Sequence, residues 1–500
     1  MPKEKDILSV AQSSCSSLSS RASLPRTLIE NLEFILTVDA NDLVLNSASV
    51  VIENDRIKDI GQATDVARRY PRESFDRIID GSRYGMVPGF IDSHVHLSET
   101  LSRAVFPDNL ATRAWVFHWA KPFYANVNAE DEVLGAIVGM AEMLRCGTTC
   151  FLDMGAQNDL KGYVEAIERV GIRGITGRHA ADVRPEKVPE GWTEKMMAHH
   201  FFPNAKIALK ELEATVHEFN GAAGGRIRCW VNIEGKEPCS MELHVGSRAL
   251  AEQLGVGTAY HLATSIEEAQ VSEKKYGKWP ITRLADAGGL GPNLTIAHAV
   301  AVTDQEIVLM AKSGTHITFC PATSIKLAKG ATRIGKYPEM LAAGIVVGLG
   351  TDGVSAAGNL NLMRQMYMVA GMFKDSRMDP TLIGAKKALR MATIDGAKLM
   401  DWDNEIGSLE VGKKADFVLF DLDHFEWVPY GDPLQAVVYS ASPASIAQTW
   451  VNGKVIFHDG RVETVDEKAL KVEARNRSAA VVKRAGLDME HTPKVSTTYD

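Results

Sequence analysis

MVPGFIDSHVHL, residues 86–97, is an apolar run that ends in two histidines one residue apart. Side chains alternate along a strand, so His94 and His96 point to the same side. Two neutral imidazoles on one face suit zinc or a similar divalent ion. An isolated His-x-His pair is often only packing, so the pattern needs support from the rest of the chain.

Seven more short apolar runs follow: 147–155, 171–180, 226–235, 255–264, 293–300, 315–322 and 345–353. Helical patterns such as AEDEVLGAIVGMAEMLRCG (129–147) and MELHVGSRALAEQLG (241–255) separate several of them. Eight strands alternating with helices are the count of an α/β fold of the (β/α)8 TIM-like barrel type, although an open α/β sheet gives similar local signals. Several runs end in a polar residue: His261 in TAYHLAT, His298 in TIAHAV, Asp352 in GLGTDG. In a barrel these groups and His94 and His96 surround one mouth, where three histidines and a carboxylate could hold a metal and leave room for water.

Outside the barrel the pattern changes. Residues 28–85 carry short β-rich pieces with Asn and Asp-Gly punctuation, and a second set follows Ile406, with Asn452-Gly453 and Asp459-Gly460 as hairpin signals. Each set alone leaves an open sheet edge, so the two are expected to complete one small β-sandwich from both chain ends. The expected division is a flexible leader at 1–27, sandwich segments at 28–85 and 405–473, the barrel at 86–404, and a C-terminal helix and tail at 474–500.

The 500 residues are 45% hydrophobic and 24% charged, an ordinary globular composition. With 55 Lys and Arg against 63 Asp and Glu, the formal charge is −8, which argues against a partner bound through its phosphate backbone. No window offers the roughly 20 apolar residues of a membrane span, and the N-terminus lacks the apolar core of a secretory signal. Six cysteines without a close CxxC pair fit reduced thiols and a cytoplasmic setting. The expected partner is a small-molecule substrate, with no nucleic acid and no membrane.

PGFIDSHVHL, the spaced His261 and His298, and GLGTDG together resemble the amidohydrolase superfamily, in its branch of chlorohydrolases and purine, pterin or adenosyl-type deaminases. The resemblance runs from the first sheet segment to GSLEVGKKADFVLFD and implies a barrel with a small β-sandwich. It implies metal ligation by His94, His96, His261 and Asp352, with His298 beside the metal, orienting water or the developing oxyanion. Two-metal relatives often use a carboxylated lysine on the fourth strand; WVNIEG has none, and Lys236 just beyond it is a poor substitute. One divalent ion is therefore expected, zinc first, with Fe, Mn or Co also compatible with the ligands. A homo-oligomer, dimer or larger, is common among such proteins.

The expected chemistry is attack of metal-activated water on an electrophilic carbon. Asp352 would take the proton and pass it toward the leaving group, and His298 would stabilise the tetrahedral intermediate by several kcal/mol, on the order of 3. Deaminases of the branch carry His-x-x-Glu after the fifth strand, whereas His261-Leu-Ala-Thr264 ends in a hydroxyl that does not ionise near neutrality. This favours a substrate that is already a carbonyl: an amide, urea, carbamate or cyclic amide. Deamination or dechlorination of an N-heterocycle (purine, pterin or triazine) is the alternative, and a non-catalytic metal-containing binding protein is the alternative of another class. Further candidates for substrate contact or ligand support are Glu99, Trp119 in the aromatic segment TRAWVFHWAKPF, His179, Glu234, Lys236 and Lys326.

Overall fold

A computed structural model describes residues 25–110, 112–188 and 192–487. Most of the expected leader, 1–24, and the end of the tail, 488–500, lie outside the described residues. Strand Arg26–Leu36 already begins at the end of that leader.

Eight parallel strands form two four-stranded sheets. One orders Phe90–Val95, Thr148–Asp153, Arg173–Thr176 and Ile227–Cys229; the other orders Thr258–Leu262, Leu294–His298, His316–Phe319 and Val347–Leu349. The strands read as nearly continuous apolar runs because helices cover the barrel outside and side chains fill it inside. Backbone bonds join the halves on both sides: the Val231 amide donates to the Gly257 carbonyl at 3.1 Å, and the Asp352 amide to the His94 carbonyl at 2.8 Å. The second junction requires Gly350, where a Cβ would stand 2.8 Å from both the Cβ and the carbonyl oxygen of His94. That close approach brings Asp352 to the first-strand histidines.

Nine further strands make the auxiliary β-sandwich domain, and both chain ends contribute to it. Tyr84–Pro88 from the N-terminal side pairs antiparallel with Phe417–Asp421 from the C-terminal side. The hairpin between Ile446–Val451 and Lys454–His458 turns at Asn452 and Gly453, both at positive φ, as a tight two-residue turn demands. The final helix runs Glu467–Arg484, earlier than the sequence pattern indicates, because Asp466 caps it by accepting from the amides of Lys468 and Ala469. No helix among the described residues is long and apolar enough to cross a membrane.

Barrel and sandwich are tied by a buried ion pair, Arg173 Nε to Asp416 Oδ2 at 2.8 Å, with a second contact of 3.2 Å from Nη2 to Oδ1. Removing one partner of such a pair leaves the other charge uncompensated in low dielectric. Arg173→Met is expected to lower unfolding stability by about 3–5 kcal/mol. Urea denaturation checks this, and a loss below about 1 kcal/mol would show that the pair is not needed to hold the two parts together.

Candidate metal centre

The strand ends deliver His94, His96, His261, His298 and Asp352 to one buried point. The Nε2 atoms of His94 and His96 stand 3.6 and 3.5 Å from Asp352 Oδ1, and His298 Nε2 stands 3.7 Å from Oδ2. His96 Nε2 and His261 Nε2 are 3.1 Å apart. Ligand-capable atoms of His94, His261 and His298 lie within 4.8 Å of one another, as do those of His94, Cys320 and Asp352.

His298 and Asp352 reach this point from left-handed backbone, at φ 76° and 66°. Such conformations cost roughly 1–3 kcal/mol each in non-glycine residues and persist where their surroundings hold them. The Tyr337 hydroxyl donates to the His298 carbonyl at 2.6 Å, and Asp352 Oδ1 accepts from the Gly353 amide at 2.8 Å.

The donor set fits a divalent cation. Burial lowers the pKa of His96 to about 3 and those of His261 and His298 well below the usual imidazole range, so these rings are neutral ligands. Burial alone would raise the Asp352 pKa, but the imidazoles of His94, His298 and His96 gathered around its carboxylate favour the ionised form and hold it well below the usual carboxylate range. His94 Nε2 is buried without a hydrogen-bond partner, a cost that a metal bond would relieve. His261 Nδ1 lies 2.7 Å from the Glu234 carbonyl, so Nδ1 carries the proton and Nε2 presents a lone pair to the centre. Burial pushes the Cys320 thiol well above its ordinary pKa, making it the weakest donor of the group. Among the described residues these groups make a single divalent metal site, suited to zinc and compatible with Fe, Mn or Co.

The other candidates divide. Glu99 Oε1 is 3.8 Å from His96 Nδ1, and burial raises its carboxyl to about 8. His179 lines the cavity beside His96, with a buried Nε2 that has no partner. Glu234 is clamped by Lys121 Nζ and His200 Nε2, each 2.8 Å from Oε2. Lys236 follows the Gly235–His261 bridge, and its charge disfavours the protonated forms of His261 and His298. Thr264 is turned away from proton chemistry: its hydroxyl and amide both donate to Glu268 Oε2 at 2.8 Å. Lys326 braces the short helix Val354–Ala357 after Asp352 by donating to the Ser355 carbonyl at 2.7 Å. Trp119 packs with Phe106, Trp115 and Phe123 in an apolar cluster, and the tryptophan lining the cavity is Trp192.

Sequence reasoning missed Lys121, His200 and Lys329. Lys329 Nζ is 3.5 Å from His298 Nε2, and burial lowers its pKa to about 8. Its signal was present: in FCPATSIKLAKG it lies three residues after Lys326, on the loop that follows the seventh strand.

The amidohydrolase family model matches residues 86–456. The chain is 32% identical over 456 residues to a 5-methylthioadenosine/S-adenosylhomocysteine deaminase of Caldanaerobacter subterraneus, covering 91% of this chain and 98% of the relative. It is 32% identical over 451 residues to a 5'-deoxyadenosine deaminase of Methanosarcina barkeri, covering 90% and 97%. A zinc-bound adenosine deaminase structure from Xanthomonas campestris superposes with a TM-score of 0.79 at 25% identity, covering 91% of this chain and 98% of the other. The zinc complex of an atrazine chlorohydrolase from Arthrobacter aurescens shares the fold, with a TM-score of 0.79 at 23% identity, covering 91% of this chain and all of the other.

Proposed function

This chain belongs to the amidohydrolase family, a metal-dependent hydrolase of non-peptide C–N bonds, and from that premise we propose that it deaminates an amino-substituted N-heterocycle, adenine nucleosides foremost. The observation that carries this reading is near full-length similarity to deaminases of adenine nucleosides in a chain whose five strand-end groups converge on one metal site. It ranks heterocycle deamination above the amide, urea or carbamate hydrolysis suggested by Thr264. That second reading keeps one specific support, the commitment of the Thr264 hydroxyl to Glu268.

In our assignment, His94, His96, His261 and Asp352 hold the metal. When bound, the ion lowers the pKa of water toward neutrality and so makes a nucleophile available. Asp352, ionised in its buried setting, takes a proton from the attacking water and delivers it to the departing amino nitrogen. His298 lies 3.7 Å from Asp352 Oδ2 and hydrogen-bonds the oxygen that gains charge on the attacked carbon. His179 presents its unpartnered Nε2 to the ring, and Glu99 orients His96. The substrate is a small molecule, with no nucleic-acid partner, consistent with the charge of −8. A reducing compartment such as the cytoplasm suits the five described cysteines, all buried and unpaired.

The test is turnover of zinc-loaded protein on adenosine, 5'-deoxyadenosine, S-adenosylhomocysteine and aminotriazines, beside matched amides, ureas and carbamates. Ammonia release from a heterocycle is expected. Cleavage confined to the carbonyl panel would overturn the deaminase reading and leave the second one standing.

A further inference from the structure

A ring carbon that bears an amino group becomes open to attack by water when the adjacent ring nitrogen takes a proton. On the deaminase reading, on which this inference rests, the mouth must offer a donor. Thr264 donates to Glu268, whose carboxylate is already occupied by the amides of Ala263 and Thr264. The Tyr124 hydroxyl is engaged with Ser355 Oγ at 2.8 Å, and burial pushes its pKa well above the usual range. Asp352 is ionised and accepts.

Glu99 and Lys329 are turned to metal-site histidines, Glu99 Oε1 at 3.8 Å from His96 Nδ1 and Lys329 Nζ at 3.5 Å from His298 Nε2. Lys121 differs from all of these. It shares the walls of one cavity with His96, Glu99, His179 and His200, so its side chain borders the same space as a metal-site histidine. Its Nζ is 2.8 Å from Glu234 Oε2 and 3.0 Å from His200 Nε2. An ammonium has three N–H groups. The two contacts account for at most two, and no third partner is found among the described residues. Three separate elements hold this arrangement: the turn Lys121–Tyr124, the segment after the fourth barrel strand, and the end of helix Glu194–His200. Fixing a long lysine side chain costs entropy, and here two partners do so at the edge of the cavity.

We propose that Lys121 is the catalytic residue that protonates the ring nitrogen, with Glu234 and His200 as its positioning residues. As the water oxygen bonds to the ring carbon, the C=N π pair moves onto the ring nitrogen, which takes a proton from Lys121 Nζ. Asp352 accepts one proton of the water. The C–N bond to the amino group then breaks, its electron pair stays with the amino nitrogen, and the Asp352 proton completes ammonia. The hydroxyl on the carbon loses its proton as the C=O forms, and that proton restores the Lys121 ammonium. The ring nitrogen keeps the proton it was lent, so the sum is heterocycle plus water giving oxo-heterocycle plus ammonia.

The experiment compares zinc-loaded wild type, Lys121→Met and Lys121→Arg on the heterocycle that wild type deaminates, with zinc content and thermal unfolding of each. Lys121→Met is expected to lower kcat about 10²–10⁴-fold with KM within about threefold, while one zinc per chain and the unfolding midpoint are kept. A smaller variant, Lys121→Ala, is expected to regain turnover with added ethylamine, which a purely structural lysine would not allow. Lys121→Arg keeps the charge but does not release a proton near neutrality, and is expected to be impaired to a similar extent. Glu234→Gln is expected to lower kcat about tenfold at little change in KM. Lys121→Met turnover within threefold of wild type, or full activity in Lys121→Arg, overturns the proposal; if Lys121→Met does not fold, Lys121→Arg decides. Wild type that releases no ammonia from any heterocycle overturns the deaminase reading and this inference with it, whereas active wild type beside unimpaired variants overturns only the inference.

Discussion

His94→Ala protein is expected to bind far less than one zinc per chain and to lose turnover by at least about 10³-fold at neutral pH. His94 belongs to both groups of ligand-capable atoms, so its loss opens the set from the histidine side and from the carboxylate side at once. Without the ion, water returns toward its ordinary, far higher pKa, and almost no hydroxide remains at pH 7. In the metal-free state two opposing effects on stability are expected. His94 Nε2 is buried without a partner, so alanine removes an unsatisfied polar atom along with the ring's packing. Elemental analysis and turnover of the same preparation check the prediction, and a variant with full zinc content would show that His94 is not a ligand.

Asp352→Asn carries the second large effect. The amide fills the same space but can neither take a proton nor supply negative charge to the ion. A fall in kcat of about 10²–10⁴-fold is expected even in protein loaded with zinc to one ion per chain. Asp352 occupies a left-handed backbone position, which asparagine tolerates as well as aspartate does, so the substitution adds no backbone strain. Zinc-replete Asp352→Asn with wild-type kcat would remove Asp352 from the proton path.

The metal centre was legible in the sequence for a mechanical reason. A buried parallel strand must be apolar on both faces, so a His or Asp closing such a run stands out, and in a barrel all such endings meet at one rim. His94, His96, His261, His298 and Asp352 were singled out that way, and the fold brings their side chains together. The contribution of both chain ends to one sandwich was legible because each set of strands alone left an open edge.

The rest was hidden because it depends on contacts between distant residues whose local patterns are unremarked. Lys121 meets His200 and Glu234 across 79 and 113 positions, and nothing in AKPF distinguishes a cavity-lining lysine from a solvated one. Thr264 shows the same limit. The sequence revealed a hydroxyl where an acid was expected, but not that Glu268 ties it down, nor that an ammonium stands on another wall of the mouth. From that one residue the substrate was read as a carbonyl compound, and the long similarity to nucleoside deaminases shifts the weight to a heterocycle. The aromatic segment was read as a pocket wall, yet Trp119 packs on Phe106, while Lys121 and Tyr124 next to it line the cavity.

The most direct test of metal-dependent hydrolytic deamination is mass spectrometry of the product formed from adenosine or 5'-deoxyadenosine in heavy-oxygen water, by zinc-loaded and by chelator-stripped protein. The account predicts that loaded protein replaces the amino group with an oxygen drawn from the solvent, that stripped protein does not, and that zinc restores the reaction. Unchanged heterocycles from loaded protein, or equal conversion after the metal is removed, would contradict it.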